Sequence, residues 1–430
     1  MASSYQPLPG FRDFAPRDFL LRRYLFDTWR AVAARYGFAE YEAPLLEEAA
    51  LYLKKSGGEL GTQLFRFQDQ GERDVVLRPE LTASLARIAA ASQRDYPKPL
   101  KWFEIGACFR YEKPQKGRFR EFYQFNADLL GEDSPSADAE LVALAIDSMR
   151  AFGFGSEDFR IRLSDRNSWQ AFADAHGIAS EHLGEFLAII DHLERTAPEK
   201  SEEALARFGI TLTQIEDFIN DPGSYSPALM AVLSDLKHRG MDDFVEVDLR
   251  IVRGLAYYTG VVFEIFDARR SLRAIAGGGR YDGLLNVVSD GKVDLPATGF
   301  AMGDAVIAEF IEEVPEAKHR FTAWSQKQAT CDVYLVIDDE EKRTEALRLA
   351  SGLRSAGIAV DFALSPAKFP KQMKAAQATL ARYAVVIGAR FPELRLRCLT
   401  TGSEESLPPN TDLASTLQDK LTNPDGPLLA

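Results

Sequence analysis

Two long runs of alternating residues, PLKWFEIGACFRYEK and FREFYQFNADLLG, flank a basic turn at Pro114–Gly117 and constrain the fold most. Side chains in a strand point to opposite faces with a period of two, so this pattern predicts an antiparallel hairpin with a long loop. Further strand signals return far along the chain, in FVEVDLRIV, YYTGVVFEIF, SLRAIAGGG and ATGFAMG. From Asp165 to about Gly240 the character is different: Trp169, Phe172, Phe186, Leu187, Ile190, Leu193 and Leu205 recur at helical intervals among many Glu residues. Strands on both sides of a helical stretch imply one sheet interrupted by an insertion.

Ahead of the hairpin, residues 17–36 carry Leu20, Tyr24, Phe26, Trp29 and Val32 at helical spacings. Gly37 closes this helix, and a strand FAEYEAP stops at Pro44. Residues 74–92 read as a strand, a turn with Pro79, and a helix with Glu80 in its first turn. Residues 312–330 lack periodicity and are expected to be a linker. Beyond it CDVYLVI, IAVDFAL and YAVVIGA are buried-type strands separated by helices, which implies a parallel α/β domain with right-handed crossovers. The expected division is therefore 1–165, an insertion at 166–240, a return at 241–311, the linker, and a last domain at 331–430.

Composition removes several classes. At 430 residues the chain exceeds one compact core. No run approaches the ~20 apolar residues of a membrane span, and residues 1–16 lack the apolar core of a signal peptide, so a cytoplasmic, membrane-free protein is expected. Three cysteines without CxxC spacing and five histidines away from ligand spacing argue against a disulfide framework or a metal site. A net charge of −13 is not that of a general DNA or RNA binder, although a local basic patch can still meet one specific RNA.

The richest chemistry lies in Phe109–Asp128, where Arg110, Lys113, Lys116, Arg118 and Arg120 fall close together. Arg110 and Glu112 differ by two and so share one face of a strand: the cation can clamp a phosphate or carboxylate, and the acid can accept from an exocyclic amine. Phe122 offers a ring for a purine, and Gln124 and Asp128 share parity, so they can line one pocket. Taken alone, such a segment also reads as a charged surface hairpin. Arg253-Gly-Leu-Ala-Tyr-Tyr-Thr-Gly260 sets a cation and two phenols between glycines. Ala276-Gly-Gly-Gly-Arg-Tyr-Asp-Gly283 can expose backbone N–H groups to an anion, or be a simple turn. No Walker loop, dinucleotide fingerprint or Ser-His-Asp order competes with these segments.

Together LRPE-x-TA (77–83), FRYEKPQKGRFREFYQF (109–125), VRGL-x-YYTG-x-VFE (252–264) and GGRYDGL (278–284) resemble the histidyl-tRNA synthetases, class II aminoacyl-tRNA synthetases, over nearly the whole chain. The resemblance implies an α+β fold: a class II synthetase-type antiparallel sheet flanked by helices, with a helical insertion, followed by a C-terminal α/β anticodon-binding-type domain. It implies L-histidine, ATP with Mg²⁺, and tRNA(His) as partners, and a homodimer formed through the first helix and strand.

By the same resemblance Glu80 and Thr82 hold the histidine amino group, and Gln124, Asp128, Tyr257, Tyr258 and Tyr281 surround the substrate and its imidazole. Arg110 and Arg253 bracket the α-phosphate and the carboxylate. Glu112 and Phe122 position the adenine, and Arg118 meets the terminal phosphates. Without it, Tyr257 and Tyr281 read as half-buried tyrosines and Glu80 as a helix-start acid. Lys368, Lys371 and Lys374 could face a tRNA backbone or simply solvent.

Two departures stand out. Ala256 takes the place of an acid, and Asp304-Ala305-Val306 occupies the stretch where the family carries a Glu-Arg pair whose Arg packs on ATP. They point to a divergent active form with an altered third class motif, in which another cation takes over that role, or to a second reading, a histidine-sensing, inactive regulatory subunit of ATP phosphoribosyltransferase; a third reading is a pure RNA-binding module.

Overall fold

The computed structural model describes residues 5–53, 61–115, 117–252 and 257–422. The expected hairpin is its centre: Leu100–Phe109 pairs antiparallel with Glu121–Leu130, Leu100 opposite Leu130 and Phe109 opposite Glu121. The sheet built on it has eight strands, in the order 39–40, 100–109, 121–130, 297–303, 276–280, 261–267, 159–165, 245–247. The six inner strands are antiparallel to one another, and the short edge strands Ala39–Glu40 and Val245–Val247 pair in parallel.

Directly opposed residues in an antiparallel ladder share a face. Odd positions of Glu121–Leu130 pack on helices: Phe125 stacks on Trp29 at 5.6 Å, and Tyr123 lies 5.1 Å from Phe26. Trp29 belongs to helix Phe19–Arg35, whose buried Tyr24, Leu25, Trp29, Val32 and Ala33 form one stripe. Even positions face the other way, towards helix Thr82–Ser92 and the tyrosines discussed below.

The strand signal in SLRAIAGGG is met at Ala276–Arg280, and the other readings of this glycine run are not. AGGGR is neither turn nor anion cradle, because it is hydrogen-bonded on both sides, to Val261–Asp267 and Ala297–Gly303. Its amide groups belong to the ladder. The hairpin strands also stop earlier than the alternation suggests. Arg110 and Glu112 lie beyond Phe109, where the chain turns and the Glu112 N–H reaches back to the Arg110 carbonyl at 2.8 Å.

Between strands 159–165 and 245–247 run the helices Arg166–Ala175, Leu183–His192, Pro198–Ala206, Leu212–Asn220 and Pro227–His238. Trp169, Phe172, Phe186 and Phe218 form their aromatic centre. Within residues 312–330 lies helix Pro315–Ser325, tied by a Glu316–Arg320 pair at 2.8 Å. The chain divides into two compact units between Phe321 and Thr322.

In the second unit Val333–Ile337, Val360–Phe362 and Tyr383–Ile387 form the expected parallel core. Two antiparallel strands unread in the sequence, Leu394–Cys398 and Glu404–Leu407, extend it. Buried Gln372 locks helix Phe369–Ala378 to the sheet: its Oε1 accepts from the Ile337 N–H at 2.9 Å and its Nε2 donates to the Ile337 carbonyl at 2.8 Å.

Candidate active site

The site begins with what the sheet omits. Ladder register puts Gly106, Gly277, Gly279, Gly299, Ala301 and Gly303 on the same face as Gln124, Asn126 and Asp128. The middle of that face is therefore mostly glycine and alanine, with the Arg78, Glu104 and Leu81 side chains close over Gly106. Gly299 stands opposite Asp128, and a Cβ there would meet Asp128 Oδ1 at 1.9 Å.

Acidic groups occupy one end. Asp128 is 1% exposed, and the Tyr281 hydroxyl donates to its Oδ1 at 2.5 Å. Burial and the neighbouring carboxylate both raise the Tyr281 pKa well above its ordinary value, so the phenol stays protonated and donates. The Tyr257 ring packs edge-on to Tyr281 at 5.9 Å, and its hydroxyl donates to Glu80 Oε2 at 3.3 Å. Tyr258 is buried in the same cluster with Leu85, Ala86 and Leu130. Glu80 lies just ahead of the helix, which starts at Thr82, so it is not the first-turn acid that the sequence suggested. Arg78 holds this segment down: its guanidinium pairs with Glu104 at 2.7 Å and donates to the Ala43 and Ala107 carbonyls, both at 2.8 Å.

Cations occupy the other end. Arg110 donates from Nε to the Pro79 carbonyl at 3.0 Å, and its guanidinium carbon lies 5.3 Å from the centre of the Phe122 ring. Arg118 pairs with Glu112 across the loop. Gln124 lies between the two ends, its Oε1 accepting from the Cys108 thiol at 3.4 Å. Burial pushes that thiol up to about 12, so it remains an uncharged donor. Arg253 and Ala256, like Lys116, lie outside the described residues.

Two residues that the sequence reading missed join the cluster. Asn126 is 2% exposed and donates to Thr82 Oγ1 at 3.4 Å. The parity that linked Gln124 to Asp128 runs straight through it. Tyr41 has a buried hydroxyl, and the Asp128 charge, after burial, raises its pKa. Arg166, at the start of the helical insertion, donates to the Val252 carbonyl at 3.1 Å and the Tyr258 carbonyl at 2.9 Å. No group of three or more metal-ligating side chains occurs among the described residues, and no helix there is long and apolar enough to cross a membrane.

An antiparallel sheet with a central face mostly of glycine and alanine, an acidic pocket at one end and an arginine-bearing hairpin at the other is the catalytic fold of a class II aminoacyl-tRNA synthetase. The family model for histidyl-tRNA synthetase matches residues 10–307, and that for an anticodon-binding domain matches 331–420. The chain belongs to the histidyl-tRNA synthetase family. It is 40% identical to the histidine–tRNA ligase of Opitutus terrae, across 94% of this chain and 96% of that one. It is 35% identical to that of Haloarcula marismortui over the same shares. The crystal structure of histidyl-tRNA synthetase from Nostoc sp. PCC 7120 superposes with a TM-score of 0.75 at 25% identity, covering 98% of this chain and all of that one. A Bacillus halodurans structure titled as an ATP phosphoribosyltransferase regulatory subunit/histidyl-tRNA synthetase shares the fold, with a TM-score of 0.72 at 21% identity.

Proposed function

We propose that this chain joins L-histidine to tRNA(His) in two steps on that face of the sheet. A carboxylate oxygen of histidine attacks the α-phosphorus of ATP, and the bond to the departing diphosphate breaks. The terminal ribose hydroxyl of the tRNA then attacks the carbonyl carbon of the adenylate, releasing AMP. Neither step needs a covalent enzyme intermediate, so the residues act by positioning and by stabilising charge.

The observation that carries this reading is the buried Asp128–Tyr281 pair above Gly299. A fixed carboxylate selects an imidazole N–H over an apolar ring of similar size, because a ligand lacking the donor leaves a buried acceptor unpaired. Glu80 and Thr82 hold the ammonium group, while Gln124, Tyr257 and Tyr258 close the pocket around Asp128 and Tyr281. Arg110 and Arg253 span the carboxylate and α-phosphate, where negative charge spreads in the transition state. Glu112 and Phe122 receive the adenine, and Arg118 the terminal phosphates. Mg²⁺ accompanies the triphosphate and neutralises part of its charge.

Residues 331–420 read the anticodon arm in this scheme, with the exposed Lys368, Lys371 and Lys374 towards the phosphate backbone. The enzyme works in the cytoplasm as a homodimer, for which the exposed Leu45 and Leu46 after Pro44 supply apolar surface. The anticodon-type match and the intact basic hairpin favour the ligase over a sensor subunit. The test is charging itself: purified protein with tRNA(His), ATP and labelled histidine should yield acid-precipitable histidyl-tRNA, and a sensor would yield none.

A further inference from the structure

The Glu-Arg pair expected after Gly303 is absent, and Asp304 in its place makes contacts of a different kind. Asp304 opens helix Asp304–Glu313 and is 3% exposed. Its Oδ1 accepts from the Tyr123 N–H at 3.0 Å, so the carboxylate continues the ladder where strand Ala297–Gly303 ends. Its Oδ2 accepts from Arg12 Nη2 at 3.1 Å and Arg22 Nη2 at 3.3 Å. Two guanidinium groups share this carboxylate, the Glu121 charge also acts on Arg12, and Nε of each arginine is buried without a hydrogen-bond partner. Burial and Arg22 both work against the charge on Arg12, and Asp304 opposes them. The cluster holds because the carboxylate is shared.

The two arginines do different jobs. Arg22 stacks on Phe14 at 3.8 Å and Tyr123 at 4.7 Å, inside the helix-covered side. Arg12 lies 3.8 Å from the centre of the Phe119 ring, and Phe119 follows Arg118 directly. The segment carrying Arg12 is itself tied to the hairpin, because the Gly10 carbonyl accepts from the Arg120 N–H at 2.9 Å. Gly10 has φ +87°, and a Cβ there would fall 2.7 Å from Arg120 Cγ, so only glycine fits this crossing. Successive helix residues are about 100° apart, which turns Val306 roughly 200° from Asp304. Val306 accordingly meets the loop tip, since a Cβ on Gly117 would touch its Cγ2 at 3.6 Å. Arg12 therefore holds the base of the loop from the side of the helix away from Val306.

We propose that Arg12 is a positioning residue for the nucleotide: held between the Phe119 ring and the Asp304 carboxylate, it fixes the returning arm of the hairpin so that Arg118 and Glu112 are presented to ATP. The proposal rests on the ATP reading of that hairpin. Arg12 acts through the loop and does not touch the nucleotide.

The discriminating variant is Arg12→Lys, which keeps a cation for Asp304 and loses the planar stack on Phe119. In histidine-dependent exchange of labelled diphosphate into ATP, Arg12→Lys should raise KM for ATP about tenfold and leave KM for histidine within about twofold. Its thermal midpoint should stay close to that of the unaltered protein, and Arg12→Ala should raise KM for ATP further. An unchanged KM for ATP in Arg12→Lys, or equal rises for both substrates, overturns the proposal. If the unaltered protein binds ATP in calorimetry but shows no exchange, the ligase reading fails alone. The ATP affinities of the two forms then decide the role of Arg12. If the unaltered protein binds no ATP, both fail together.

Discussion

The hydroxyl of Tyr281 reaches the buried carboxylate of Asp128 at 2.5 Å, joining residues 153 positions apart in sequence. A hydrogen bond to a charged acceptor contributes about 1.5–3 kcal/mol. Tyr281→Phe should therefore lower kcat/KM for histidine by roughly 10- to 100-fold, with KM for ATP little changed. Steady-state exchange with each substrate varied in turn measures both.

Gly299→Ala tests the same carboxylate from below. The added methyl would fall 1.9 Å from Asp128 Oδ1 and 2.7 Å from its Cγ, so the acid must leave its place. Histidine affinity measured by calorimetry should fall at least about tenfold, a loss near 1.4 kcal/mol.

The Arg78–Glu104 pair, with both side chains at most 3% exposed, anchors the turn that carries Glu80. Glu104→Ala leaves Arg78 buried without its anion, and breaking such a pair costs about 3–5 kcal/mol. The denaturation midpoint of the larger unit should drop in scanning calorimetry. Glu104→Gln, which retains an acceptor, should drop it less.

Asp138 provides a pH signature. Burial raises its pKa from 3.8 to about 6, against the opposing pull of Arg280, whose guanidinium lies 2.9 Å away. The folded acid holds its proton more tightly than the unfolded one, so this group's contribution falls as pH rises through that window and levels off above it. The stability difference between the unaltered protein and Asp138→Asn should therefore change between about pH 4 and 6 and be flat above. Thermal midpoints across that range read it directly.

Part of the candidate site's layout was legible in the sequence, because parity survives without a structure. Gln124 and Asp128 lie on one face as their spacing required, and Glu80 meets Tyr257 from 177 residues away. The failures have local causes. The anion cradle or turn read into the Ala276–Gly283 run fails because Ala276–Arg280 is a central strand whose amides pair with both neighbours, as the strand signal there had it. Arg110 and Glu112 continue an alternating pattern past the point where the backbone turns, so their shared strand face does not exist. Asn126 and Tyr41 carry no motif and become part of the site only through pairing. The strands Leu394–Cys398 and Glu404–Leu407 are short and rich in charge, which hid their alternation. The Arg12–Asp304 contact spans 292 positions and has no sequence signature.

The most direct test of the central claim is histidine-dependent exchange of labelled diphosphate into ATP, with Arg253→Ala beside the unaltered protein. The account predicts exchange that requires L-histidine, is not supported by other amino acids, and is abolished by the substitution. Absence of exchange from protein that still binds histidine in calorimetry would contradict it and make the chain a sensor.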